Sequence, residues 1–241
     1  MKAVFIADAH LDGGDSDGCR YLKNLLNSIR GRVDELFILG DFFDFWFAGK
    51  NDVYPGYSDI VDLLLKIRKS GTGISFFEGN HDFFLGDYFE PHGIRVIPNE
   101  AVIDLDGKRV FMSHGDTIDT SKGGYLFLRR VLRSKMVYRI QEHLPSLILW
   151  YVSRAISRMS RSHEEPATEE INGKIAMFVA KKFEEGADAV VLGHYHSPRF
   201  EQYRGDEGMQ TFVILGDWIR HYSYLVYEDG EFTMKQCTAA D

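Results

Sequence analysis

Apolar positions along this chain gather into short, dense runs that end in small, acidic or amide residues. KAVFIAD (2–8), ELFILGD (35–41) and GISFFEGN (73–80) are rich in β-formers and read as strands. Between them the apolar spacing lengthens to that of helices around residues 20–30 and 59–69. Strand and helix therefore alternate, as in an α/β sheet whose chemistry sits at the carboxyl ends of its strands. AVIDLDGKRVFMS (101–113) predicts a hairpin with Asp106-Gly107 at its turn. Residues 122–185 predict almost continuous helix, broken near HEEPATEE (163–170), where Thr168 can cap the next helix. Strands return at ADAVVLG (187–193) and QTFVILG (210–216), and YSYLVYEDGEFTMK (222–235) closes the chain as a hairpin. A helical block between two strand-rich portions reads as an insertion, approximately residues 121–165, within one domain spanning 1–241.

Composition adds limits to this outline. With 241 residues, 44% hydrophobic and 27% charged, the chain can bury the core of one catalytic domain. Its first apolar run reaches Asp8 too early for a signal peptide, and no run approaches the roughly 18–20 apolar residues of a membrane span. Cys19 and Cys237 cannot form a disulfide framework; they read as free thiols in a reducing compartment, so the cytoplasm is expected. The net charge of −8 argues against a nucleic-acid partner. That charge is uneven, since residues 121–162 hold nine Lys and Arg against one acid, Glu142.

Potential ligands sit at the strand ends. They are D-x-H (Asp8, His10), Gly40-Asp41, GNHD (Gly79, Asn80, His81, Asp82), His114 of SHGD, and GHYH (His194, His196). Singly, each Asp is a turn residue and each His an ordinary hydrogen-bonded histidine. Five such clusters at five strand ends point instead to a metal centre. An imidazole-rich set of N and O donors without thiolate suits Mn, Fe, Zn or Co better than Ca. A site of net positive charge would attract a phosphate and acidify a bound water.

These five ordered blocks resemble the calcineurin-like metallophosphoesterases. The resemblance implies a four-layer α/β/β/α sandwich and two divalent metal ions, manganese foremost. Asp8, His10, Asp41 and His196 would hold the first ion; Asp41 as a bridge, Asn80, His114 and His194 would hold the second. His81 would then stabilise or protonate the leaving oxygen, with Asp82 holding it, while a bridging hydroxide attacks phosphorus in line.

Beyond the ligands, the chain is similar to the UDP-2,3-diacylglucosamine hydrolases of lipid A synthesis. The likeness lies in ADAHL, LGDFFDFWF (39–47), GNHDFFLG (79–86), HGDT (114–117), GYLFLRRVLR (124–133), HLP (143–145), GHYHSP (193–198) and LGDW (215–218). It implies cleavage of a pyrophosphate at the α-phosphorus, giving UMP and an acylated sugar phosphate. Trp46, Phe83, Tyr125 and Arg158 match positions that line the substrate chamber of such enzymes. Two features depart from that pattern: His81 stands where many relatives carry Arg, and Ile118-Asp119-Thr120-Ser121 follows HGDT.

The insertion fits a nucleotide-activated, acylated sugar drawn from an anionic inner-membrane surface. On a helix beginning near Pro145, Leu147, Ile148, Tyr151, Val152, Ala155 and Met159 form an apolar face. Arg154, Arg158 and Arg161 follow the same spacing on a neighbouring face, so the block could act as a lid receiving acyl chains and negative charge. Such an enzyme would lie peripherally on the cytoplasmic side of the membrane, and nothing in the sequence calls for a protein partner. The competing enzyme is a phosphodiesterase or nucleotide pyrophosphatase for a soluble substrate, its helical block a packed support. A non-catalytic scaffold would forfeit a ligand or the GNHD histidine, and this chain keeps both.

Overall fold

The computed structural model describes residues 1–46, 53–119, 121, 123–145, 148–151, 169–205 and 208–238. The three early runs become β1 (Lys2–Ile6), β2 (Glu35–Leu39) and β3 (Gly73–Phe77), paired in parallel. β4 (Arg95–Ile97) extends them on one side. The closing hairpin, β10 (Ser223–Glu228) and β11 (Glu231–Gln236), completes the sheet on the other side, antiparallel to β1. The second sheet has the order β5-β6-β7-β9-β8, from β5 (Glu100–Leu105), β6 (Lys108–Ser113), β7 (Ala189–Leu192), β8 (Arg199–Gly205) and β9 (Gly208–Ile214). The β5–β6 turn falls at Asp106-Gly107, both with positive φ, the twist that a two-residue hairpin turn requires.

Alternation along the strands builds the layers. Ala3, Phe5, Phe37, Leu39 and Phe77 face one way and meet Val110, Met112, Ala189, Val191 and Val213 of the second sheet. Val4, Ile6, Leu36, Ile38 and Phe76 face the other way, onto α1 (Asp17–Ile29) and α2 (Ser58–Lys69). α1 begins where Ser16 accepts the Cys19 N–H, and it buries Leu22, Leu25, Leu26 and Ile29. On the far side, Phe111, Val190, Leu192, Phe212 and Ile214 cover Ile175 and Val179 of α6 (Glu169–Glu184). Helix, sheet, sheet and helix stack in that order. Each buried Leu, Ile or Phe contributes about 1.5–3 kcal/mol to holding the stack together.

Between β6 and β7 the helical block supplies α4 (Gly123–Leu132) and α5 (Lys135–His143); the short α3 (Gly86–Phe89) lies earlier, after β3. Ser134 divides α4 from α5 by accepting the Val137 N–H. Residues 148–151 are helical, but their apolar face differs from the expected one. Leu149 is buried and Trp150 packs edge-on against Tyr54 at 5.2 Å, while Ile148 and Tyr151 are exposed. The ring that meets the aromatic cluster of Phe45, Tyr54 and Tyr57 sets the rotation, because large rings bury the most area. Leu147, Val152, Arg154, Ala155, Arg158, Met159, Arg161 and Thr168 lie outside the described residues.

Candidate metal centre

The parallel strands β1, β2 and β3 end side by side, and β6 and β7 end opposite them. Their next residues carry the ligands. Five of these, Asp8, His10, Asp41, His194 and His196, have φ between 43° and 71°, the left-handed region that Asp and His tolerate better than branched residues. Backbone bonds stitch the turns together: Asp8 N–H donates to Gly40 O, His10 N–H to Asp41 O, and Gly193 N–H to His114 O. Gly79 is required by closeness, since a Cβ there would lie 2.1 Å from Asp41 Oδ1 and 2.3 Å from Asp41 N.

Among the described residues three groups of donors result; one joins His10 and His81 to Asp44, and the other two consist of expected ligands. Asp8, His10 and His196 present atoms within 4.8 Å of one another, and so do Asp41, His114 and His194. Asp41 stands between the groups, its Oδ2 3.8 Å from His10 Nε2 and 3.4 Å from His114 Nε2. Asn80 joins the second group through Oδ1, 3.0 Å from His114 Nε2.

The hydrogen bonds show that this set fits a cation. His114 Nδ1 donates to Leu39 O at 2.8 Å, which turns its Nε2 toward two further acceptors, Asn80 Oδ1 and Asp41 Oδ2. His196 Nδ1 faces the Asp217 carboxylate at 3.3 Å, leaving its Nε2 3.3 Å from His10 Nε2. Acceptors that converge in this way call for a positive charge, which a proton on His114 Nε2 or a cation in its place supplies. The electrostatics agree. Burial works against charge on His114, yet the Asp41 carboxylate beside it pushes its pKa up to about 10. Burial likewise works to raise Asp41, but His114, His81 and His10 hold it well below the usual carboxylate range. Burial and the charge of His114 push His194 down to about 3, which keeps it neutral and able to ligate.

His81 lies at the rim, its ring edge-on to His10 at 4.9 Å. Its Nδ1 donates to the carbonyl oxygen of Asp44 at 3.0 Å, and its own N–H donates to Asp41 Oδ1 at 2.8 Å. The expected hold by Asp82 is corrected here. The Asp82 carboxylate is fully buried and accepts the N–H groups of Asp41, Phe42, Phe43 and Gly79 at 2.8–3.1 Å. It shapes the two ligand turns, and orienting His81 falls to the Asp44 carbonyl.

Asp217 is a member that sequence reasoning passed over. Its Oδ1 accepts three backbone N–H groups, from Ile219, Arg220 and His221, while Oδ2 faces His196. Burial works to raise its pKa, but the bonds from His196 and from the Arg220 and His221 amides hold it far below the usual range. The available signal was Asp217 directly after the QTFVILG run, a sixth strand end with an ionisable residue.

Of the residues expected to line a substrate chamber, Trp46 is buried among Phe43, Tyr88 and Phe89. Phe83 is also buried, with the Arg133 guanidinium over its ring. Tyr125 stands beside the ligand turns and donates to Asp116 Oδ2 at 3.1 Å. Arg158 lies outside the described residues.

A family model of the calcineurin-like phosphoesterases matches residues 1–198. The chain is similar to the UDP-2,3-diacylglucosamine hydrolase of Aeromonas salmonicida, at 32% identity across 99% of this chain and 94% of that protein. It is similar also to the enzyme of that name from Pseudomonas putida, at 32% identity across 90% of this chain and 91% of the other. That of Neisseria meningitidis is 28% identical across 95% of each. Among solved structures, an archaeal phosphodiesterase shares the fold, with a TM-score of 0.51 and 14% identity across 98% of this chain and 99% of that one.

Proposed function

The chain belongs to the calcineurin-like phosphoesterases and, within them, to the UDP-2,3-diacylglucosamine hydrolases, and we propose from this that it hydrolyses the pyrophosphate of UDP-2,3-diacylglucosamine to UMP and 2,3-diacylglucosamine 1-phosphate. It is a metal-dependent hydrolase. The observation that carries the reading is the pair of donor groups meeting at Asp41, joined to likeness over nearly the full length of named relatives.

Asp8, His10 and His196 would hold one divalent ion, and Asn80, His114 and His194 a second, with Asp41 between them; manganese is the proposed metal. Bound there, such ions offset the charge of a pyrophosphate and lower the pKa of water toward neutrality. The protein's own groups do the rest. Asp217 favours the His196 tautomer that carries its proton on Nδ1. His81, its Nδ1 proton engaged by the Asp44 carbonyl, can donate from Nε2 only as an imidazolium, which suits it to a phosphoryl or leaving oxygen. Asp82 holds the ligand turns together through four N–H bonds.

The helical block supports an acylated substrate presented at a membrane surface. Phe127, Leu128, Met136 and Ile140 of α4 and α5 are exposed, interleaved with the exposed Arg130, Lys135 and Arg139. Among the described residues no helix is long and apolar enough to cross a membrane. Incubation with Mn²⁺ and UDP-2,3-diacylglucosamine is expected to release UMP. A chromogenic diester turned over without UMP release from the lipid would point to a soluble phosphodiester instead. Sedimentation with anionic vesicles tests the surface reading. Binding that fades with salt supports it, and no binding at low salt removes it.

A further inference from the structure

Two buried ion pairs lie near the metal centre, and none of their four members is among the proposed metal ligands. Both begin on α4. Tyr125, Arg129 and Arg133 are spaced four apart, so they share one helical face. Arg129 Nε donates to Asp116 Oδ2 at 2.5 Å, joining Tyr125 there, and its Nη2 reaches Asn99 Oδ1. Arg133 forks three ways: Nη2 to Gly79 O at 2.5 Å, Nη1 to Pro98 O at 2.8 Å, and Nη1 to Glu78 Oε2 at 3.4 Å. All four partners in the two pairs are largely shielded, with side-chain exposures of 16% and 3% for Arg129–Asp116 and 13% and 9% for Arg133–Glu78.

Desolvating two ion pairs is a poor way to stabilise a helix, so the location of these pairs is the informative part. Asp116 lies two residues past His114, and Gly79 directly precedes Asn80. One helix thus grips two turns, and both carry donors of the same group, that of Asp41, Asn80, His114 and His194. None of the hydrogen bonds of α4 among the described residues reaches Asp8, His10 or His196.

We propose that Arg129 and Arg133 are positioning residues through which the helical block sets the second metal site, leaving the first site to the sheet. This rests on the two-site reading above. The planar guanidinium of Arg133 meets the Gly79 and Pro98 carbonyls with two separate nitrogens, where a lysine offers one. By reciprocity, occupancy of the second site also favours the docked state of α4.

The test uses the full chain and Mn²⁺ alone, with calorimetry for each site and low-temperature electron paramagnetic resonance for the spin-coupled pair. The wild type should bind two ions; a single ion would defeat the two-site reading itself, separately from the brace. Arg133→Met should weaken the second site at least about tenfold, the scale of losing a group that orients ligands. The coupled signal should give way to that of an isolated ion, and Arg133→Lys should recover only part of it. In a His10→Gln background Arg133→Met should cost the remaining ion; in His114→Gln it should change nothing further. Hydrogen exchange across residues 123–143 should slow on adding Mn²⁺ in the wild type and not in Arg133→Met. Equal weakening of both sites, or an unchanged second site, overturns the proposal. Should Arg133→Met fail to fold, Glu78→Gln/Arg133→Met removes the pair without stranding a buried carboxylate and is read in the same way. Arg129→Gln gives an independent second reading, with Lys69→Gln, exposed at the end of α2, as the neutral control.

Discussion

A histidine offers two nitrogens, and its second partner decides which one faces a metal. Asp217 makes that choice for His196, so Asp217→Asn is expected to turn an amide N–H₂ toward Nδ1 while its Oδ1 still accepts the Ile219, Arg220 and His221 N–H groups. The fold should persist and Mn²⁺ affinity should fall about 10- to 100-fold, measured by titration. His81 permits a second residue-scale prediction. A sugar phosphate is a good leaving group that needs little protonation, so His81→Ala should slow the pyrophosphate far less than a diester with an alkoxide leaving group. Equal losses in kcat/KM on both substrates would remove His81 as the proton donor. The candidate ligands stood out at this scale because each sits at the end of an apolar run. The partners of the ligands were not. Asp44 acts through its backbone carbonyl, and Asp82 through four backbone amides, roles that no residue type announces.

Helices and strands position these residues by contacts that leave little slack. In α1 a Cβ on Gly18 would meet the Trp218 carbonyl oxygen at 1.8 Å, and the Trp218 N–H in turn donates to the Asp8 carbonyl. Gly18→Ala should therefore destabilise the protein by about 1–3 kcal/mol in urea unfolding, although Ala is the better helix former. Because the displaced segment touches Asp8, metal affinity should fall with it. Periodicity located β1, β2, β3, α1 and α2 to within a few residues, since one buried face dictates spacing. It passed over β8, whose RFEQYRG sequence is an edge strand largely open to water, and β4, only three residues long. The rotation of residues 148–151 also escaped, because its phase is set by the aromatic cluster that Trp150 meets, which lies far away in the sequence.

Across the whole molecule, two hydrophobic sheets and their covering helices hold a ring of ligand turns in a strained backbone region. The cores do not depend on a metal, so chelation should leave the chain folded. A cation that binds only the folded state adds stability, about 2.7 kcal/mol at a concentration one hundred times its Kd. The thermal midpoint should accordingly rise with Mn²⁺ and return on adding a chelator. His114→Gln should blunt the rise; an unchanged midpoint in the wild type would argue against metal binding at these turns.

Chain order and residue type alone determined the alternating α/β class, the donor set and the basic helical block, since apolar periodicity and ligand chemistry are local properties. Only the tertiary structure decided that Asp41 lies between two donor groups, that Asp217 and the Asp44 carbonyl orient the histidines, and that α4 grips the turns of one group. The physical reason is distance along the chain. Asp8 and His194 are hydrogen-bonded 186 residues apart, and Arg133 reaches Gly79 across 54. Such meetings depend on how two sheets and a helix close on one another, which no stretch of sequence contains by itself.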